Sequence, residues 1–168
     1  MKSGIRCRKD NSADVLAGLS RLSKMDVLVG IPESKATRED GEALNNAEIG
    51  YLQATGATVK LGGSTVTLPP RPFLDMGIDD TKDITTEHLK AAATLALDGD
   101  FGGAEKQLES AGIIASDGAK KVIGSGDRLH PLSEATLRAR RAQGLPGEKP
   151  LYANGYLLRS ITYVVRGK

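Results

Sequence analysis

Apolar residues return at two different intervals along the chain, and the interval predicts the element. In "SADVLAGLSRL" Val15, Leu16, Leu19 and Leu22 recur every three or four positions, the spacing of one helix face, with Ser12 placed to cap it. "DVLVGI", residues 26–31, is short and β-branched, and Pro32 closes it as a strand. The polar run "PESKATREDGEALNN" has no period and reads as an exposed, mobile loop. Ile49, Leu52 and Gln53 share one face of a short helix, with Asn45 or Asn46 as its cap and Gly56 as its stop. Two alternating runs, 58–61 and 65–68, joined by Gly62, Gly63 and Ser64, predict a β-hairpin.

Helical spacing then resumes. Ile84, His88, Ala91 and Leu95 mark an amphipathic helix over 83–97, near whose start Asp79 and Asp80 lie. Phe101, Ala104, Leu108, Ala111, Ala115, Ala119 and Val122 mark a second. The two form a helical hairpin whose alanines and glycines permit close approach of the axes. Gly112 and Gly118 each weaken the second helix by up to ~1 kcal/mol and predict a break at its middle. "PLSEATLRARRAQG" is a short basic helix capped by Ser133 and stopped by Gly144. A helical turn carrying Leu151, Leu157, Leu158 and Ile161, then a strand over 162–165, complete the pattern.

This order of elements predicts an α+β fold: a small, mostly antiparallel sheet with a protruding β-hairpin, packed against several helices. Residues 1–11 read as a mobile basic tail, and 12–168 as a single domain.

Composition narrows the class. The 168 residues are 39% hydrophobic and 26% charged, as in a soluble globular protein. No apolar run approaches the ~20 residues of a membrane helix, and the start lacks the apolar core of a secretory signal. One cysteine, Cys7, excludes an internal disulfide and suits a reducing cytosol. The net charge of +2 does not by itself argue for nucleic acid. Only 4% of residues are aromatic, so burial drives a lone subunit modestly and assembly would add area.

The chemistry is sparse. His88 falls on the apolar stripe of its helix and reads as a packed, hydrogen-bonded histidine; His130, before Pro131, reads as solvent-facing. Neither has a Cys or His at metal-ligand spacing. "KLGGST" and "IGSGDR" lack the phosphate-loop pattern. Asp79 and Asp80 near a helix start suit the helix dipole, and Glu39 with Asp40 a solvated loop. Arg138, Arg140 and Arg141 occupy two faces of the basic helix with no aromatic interleaved, which fits a solvated face before contact with phosphate or an acidic partner. No catalytic residue, metal site or cofactor is expected.

The stretch "TLPPRPFLDMGI" joins the hairpin to the long helices. Proline fixes its own backbone angle and drives the preceding residue out of helical space, so Pro69, Pro70, Arg71 and Pro72 form an extended, rigid corner. Phe73 and Leu74 plug the base of the next helix. A free proline-rich ligand would have to be exposed and mobile; this segment is fused between a strand and a helix.

Three blocks together resemble the head–tail joining and tail-completion proteins of tailed bacteriophages, including the virion-morphogenesis proteins of Mu-like phages. They are "NAEIGYLQATGA" leading to "LPPRPFL", then "HPLSEATLRARR" at 130–141, then "KPLYANGYLLRSITYVV" at 149–165, which includes the Gly155 turn. The resemblance covers the chain from about Asp26 onward. It departs at Tyr152-Ala153-Asn154, where an acidic residue and a threonine usually precede the glycine.

The resemblance implies a small α+β subunit without cofactor or catalysis, assembling as a ring, hexameric or dodecameric, at the neck of the virion. Its partners would be copies of itself and other neck, connector and tail-tube proteins, with DNA passing through unbound and no membrane. It implies a place in the virion, reached from the host cytoplasm. Candidate assembly contacts are the hairpin tip (Lys60, Leu61, Gly62, Gly63 and Ser64), Arg71, and Arg138, Arg140 and Arg141, these three arginines facing a neighbouring subunit or another neck protein rather than the channel. The alternative reading is a nucleic-acid-binding module using the basic N-terminus and the arginine-rich helix 134–142.

Overall fold

A computed structural model describes residues 12–38, 43–61, 63–145 and 147–167. The predicted basic tail and Gly62 lie outside them. The order is α1 (Ser12–Leu22), β1 (Met25–Gly30), α2 (Glu33–Ala36), α3 (Asn46–Thr55), β2 (Ala57–Leu61), β3 (Ser64–Leu68), α4 (Phe73–Leu97), α5 (Phe101–Ser125), α6 (Glu134–Ala142), α7 (Tyr156–Ser160) and β4 (Thr162–Gly167). The fold is α+β.

The spine is the α4–α5 hairpin. Each helix has 25 residues, roughly 37 Å at 1.5 Å per residue. They approach to backbone contact: a Cβ built on Gly77 would lie 2.2 Å from the Ala119 nitrogen, and one on Gly118 would lie 2.5 Å from the Gly77 carbonyl oxygen. The expected break in α5 is absent. Gly112 and Gly118 cost helix propensity, but Gly112 gives room for the Tyr163 ring and Gly118 for α4, so packing outweighs propensity. Asp100 caps α5 by accepting from the Gly103 N–H at 2.8 Å.

α4 is longer than its apolar spacing predicts. It starts at Phe73, directly after the prolines, with Pro72 as its non-helical first flank. Asp79 and Asp80 therefore sit in the second turn, away from the dipole end. Asp80 instead pairs across to Arg128, one oxygen accepting from a guanidinium N–H at 3.0 Å. That bond holds its carboxyl below the usual carboxylate range.

Two cores flank the spine. At its closed end Ala92, Ala96, Ala104 and Leu108 pack under Leu22, Met25, Val27 and Val165, which belong to α1 and the β1–β4 ribbon. Gly18 lets α1 sit directly on α4 and Phe101. At the open end Phe73, Ala119, Val122, Ile123, Leu129, Leu157 and Ile161 form the other core. Phe73 is wholly buried there and Leu74 half-buried, as a plug should be.

The strands form two separate two-stranded ribbons, both antiparallel. β1 pairs with β4 from Met25 opposite Gly167 to Gly30 opposite Thr162. β2 pairs with β3 from Ala57 opposite Leu68 to Leu61 opposite Ser64, and this hairpin stands off the helical body. Where the polar run 32–46 reads as loop, residues 33–36 form one helical turn with Ala36 buried. Four residues are too few to show a period. Among the described residues no helix is long and apolar enough to cross a membrane.

Candidate functional site: an arginine-lined cleft at the open end

α3 is fixed by a complete capping box: the Asn45 side chain accepts from the Glu48 N–H at 2.9 Å, and Glu48 accepts from the Asn45 N–H at 2.8 Å. Asn46, one position on, is buried and donates to Ser160 Oγ at 2.8 Å, tying α3 to α7. Gly56 ends the helix at φ +75 and ψ 156, a region essentially reserved for glycine. The chain then leaves through the hairpin and returns along β3 to the proline corner, which lies against α3.

Arg71 is the centre of this end. It was expected as a surface contact; it is only 5% exposed. Its N–H groups donate to Gln53 Oε1 at 2.8 Å and to the backbone oxygens of His130 at 2.7 Å and Pro131 at 3.0 Å. Its own backbone N–H donates to the Gln53 oxygen at 2.8 Å. One guanidinium thus braces α3, the corner and the 130–131 turn.

Arg140 braces a second segment. One guanidinium nitrogen lies 3.0 Å from the Lys149 oxygen, 3.3 Å from that of Tyr152 and 3.4 Å from that of Gly147. It is half-buried, not a free interface charge. Within the loop it gathers, Leu151 holds φ 60, a left-handed conformation unusual for a bulky residue. Gly155, at φ 72, then turns the chain into α7, as its place in the sequence block requires. Arg141 forms an exposed ion pair with Glu148 at 2.9 Å, and Arg138 is exposed with no polar partner among the described residues. Lys60 is exposed, and Gly63 turns the hairpin tip at φ +83.

Between these braces opens a cleft of about 520 Å³. Arg71 and Pro69 form part of its wall, with β3, the 130–133 turn, α6 and the start of α7 around it. At its rim Tyr156 lies between two guanidiniums, Arg159 at 5.1 Å and Arg38 at 6.0 Å from the ring centre. Among the described residues no Asp or Glu lines it. Burial lowers the pKa of Arg71, with the nearby charge of Arg140 adding to the effect, and burial lowers that of Arg140.

The cleft draws together all three blocks of the sequence resemblance. It also recruits Arg38, Asn46 and Gln53, which the sequence reading did not mark as site residues. The one legible signal was Gln53, a polar side chain on an otherwise apolar helix face. His88 is half-buried and shares a hydrogen bond with Gln107 at 2.6 Å, away from the cleft. Among the described residues no group of three or more His, Cys, Asp or Glu is placed to hold a metal ion. No family model, curated protein or solved structure matches the chain.

Proposed function

We propose that this chain is a structural subunit of a tailed-phage virion, acting at the head–tail joint or tail end by self-assembly into a ring and by docking to connector and tail proteins. The observation that carries the reading is the exposed strand surface. Each ribbon has only two strands, so each leaves two edges with unpaired backbone groups. On the β1–β4 ribbon Leu28 and Val164 stand opposite each other, 42% and 39% exposed. On the standing hairpin Val66 is 38% exposed. Pairing with another chain is one way in which such edges and apolar side chains are covered.

A second support is that the residues behind the phage resemblance act together. The corner, the 130–131 turn and the 149–155 loop meet at Arg71 and Arg140, so the blocks belong to one rigid end of the molecule rather than to scattered loops. The nucleic-acid alternative has less behind it: of the arginines on α6, Arg140 turns inward and Arg141 pairs with Glu148.

Electron microscopy of virions produced without the protein tests the proposal. Filled heads separated from tails, or tails of uncontrolled length, are the expected result. Normal infectious particles would overturn it.

A further inference from the structure

The geometry points to the cleft as a docking site for an extended acidic segment of a partner protein, added as a strand along β3. Charge is the first argument. Arg71 and Arg140 face the cleft, yet among the described residues every hydrogen bond from their guanidiniums goes to a neutral oxygen, and no carboxylate lines the wall. A buried cation, Arg71, beside a half-buried one, Arg140, whose charge adds to the lowering of the Arg71 pKa, attracts an anion that brings its own negative charge.

The strand edge is the second argument. Val66, Thr67 and Leu68 all line the cleft. Successive strand residues point to opposite faces, so three in a row at one cavity place the edge of β3, not a face, against it. Among the described residues β3 has a strand partner on one side only. An incoming extended segment therefore finds main-chain groups to bond. Alternate side chains of such a segment project to the same side about 7 Å apart, which sends successive carboxylates toward the arginines.

The shape argues against nucleic acid as the occupant. Arg71 is only 5% exposed and Arg140 is half-buried, so neither presents the protruding cation that a convex phosphate backbone needs. The site goes beyond the neck reading and does not rest on it, because a peptide can be bound by the isolated subunit with no virion present.

The test is fluorescence anisotropy with a labelled ten-residue peptide alternating glutamate with threonine and valine. Saturable binding is expected, weakened about tenfold or more by Arg140→Gln and by Thr67→Glu. Thr67 is exposed and takes no part in the hydrogen bonds of Arg71 or Arg140, so Thr67→Glu keeps the fold, as circular dichroism will verify, while placing a carboxylate at the strand edge. The glutamine isostere of the peptide should not bind. Of two peptides N-methylated at alternate residues in opposite phase, one should lose binding. The proposal is overturned if the acidic peptide does not bind, if the glutamine isostere binds equally, if both methylated peptides bind normally, or if Thr67→Glu has no effect. Preference for a single-stranded oligonucleotide over the peptide would also overturn it. Ring formation by the same wild-type sample, read by light scattering, scores the assembly reading separately.

Discussion

Two hairpins follow one another in the chain and are built on opposite plans. The helical one, α4–α5, removes its own backbone from solvent: glycine meets glycine at Gly77 and Gly118, and Ala92, Ala96, Ala111, Ala115 and Ala119 fill the seam. The strand one, β2–β3, keeps its main chain and side chains largely outside, with Val66 and the threonines exposed. The first gives a stiff rod whose position is set by close packing. The second has almost nothing to hold it but its own ladder and the glycine at its base. Stability is concentrated in one hairpin and contact surface left to the other, the division expected of a part that works by meeting other parts.

The largest effect should come from closing the helical seam. Gly77→Ala places a methyl group on the Ala119 backbone, which cannot yield, and should cost about 3 kcal/mol or more in chemical denaturation. Next is the joint between the two hairpins. Arg71→Met leaves the Gln53 side chain and the His130 and Pro131 carbonyls without their donor and should cost about 2–3 kcal/mol. Arg71→Lys should recover little, because one ammonium cannot span three acceptors set for a planar fork.

Gly56→Ala acts at the foot of the strand hairpin. It forces a side chain into a backbone region nearly exclusive to glycine and brings a Cβ to 2.9 Å from the Leu68 oxygen, for a loss of about 2 kcal/mol by the same measurement. Val66→Thr should sharpen the contrast. It should change the stability of the isolated chain by no more than about 0.5 kcal/mol while reducing assembly in light scattering. Equal damage to both would mean the hairpin belongs to the core after all.

The smallest effect concerns pH. Asp80 is held below its unfolded value of about 3.9 by Arg128. Its contribution is therefore full above that value and lost as pH falls through the folded pKa. Asp80→Asn should flatten the acid side of the stability profile by slightly lowering the plateau at neutral pH, a small change as befits an exposed pair, and leave stability below the folded pKa unchanged.

How much of this was legible follows from the range over which each feature is written. Caps and stops are local, so Asn45, Ser133, Gly56 and Gly144 mark their helices in the sequence, and the hairpin follows from alternation around a glycine turn. The start of α4 was hidden because prolines and Gly77 interrupt its apolar spacing, although proline is well tolerated just ahead of a helix. The continuity of α5 was hidden for a related reason: Gly112 and Gly118 read as helix breakers until their partners, Tyr163 and Gly77, are known. The cleft was least legible. Arg71 looks like any surface arginine, and only the chain folded back so that His130, 59 positions on, meets it reveals what it holds.

The pairing of β1 with β4 has a consequence for how the molecule is made. Residues 25–30 leave the ribosome early, and their partner at 162–167 is translated on the order of ten seconds later. During that interval Leu28 and the bare flank of β1 are available to any other chain. The α4–α5 rod, whose contacts are nearer in sequence, can form meanwhile and wait for the last strand. β4 is thus the latch of the closed-end core, and a chain stalled between α5 and β4 would be the species most prone to stick to its neighbours.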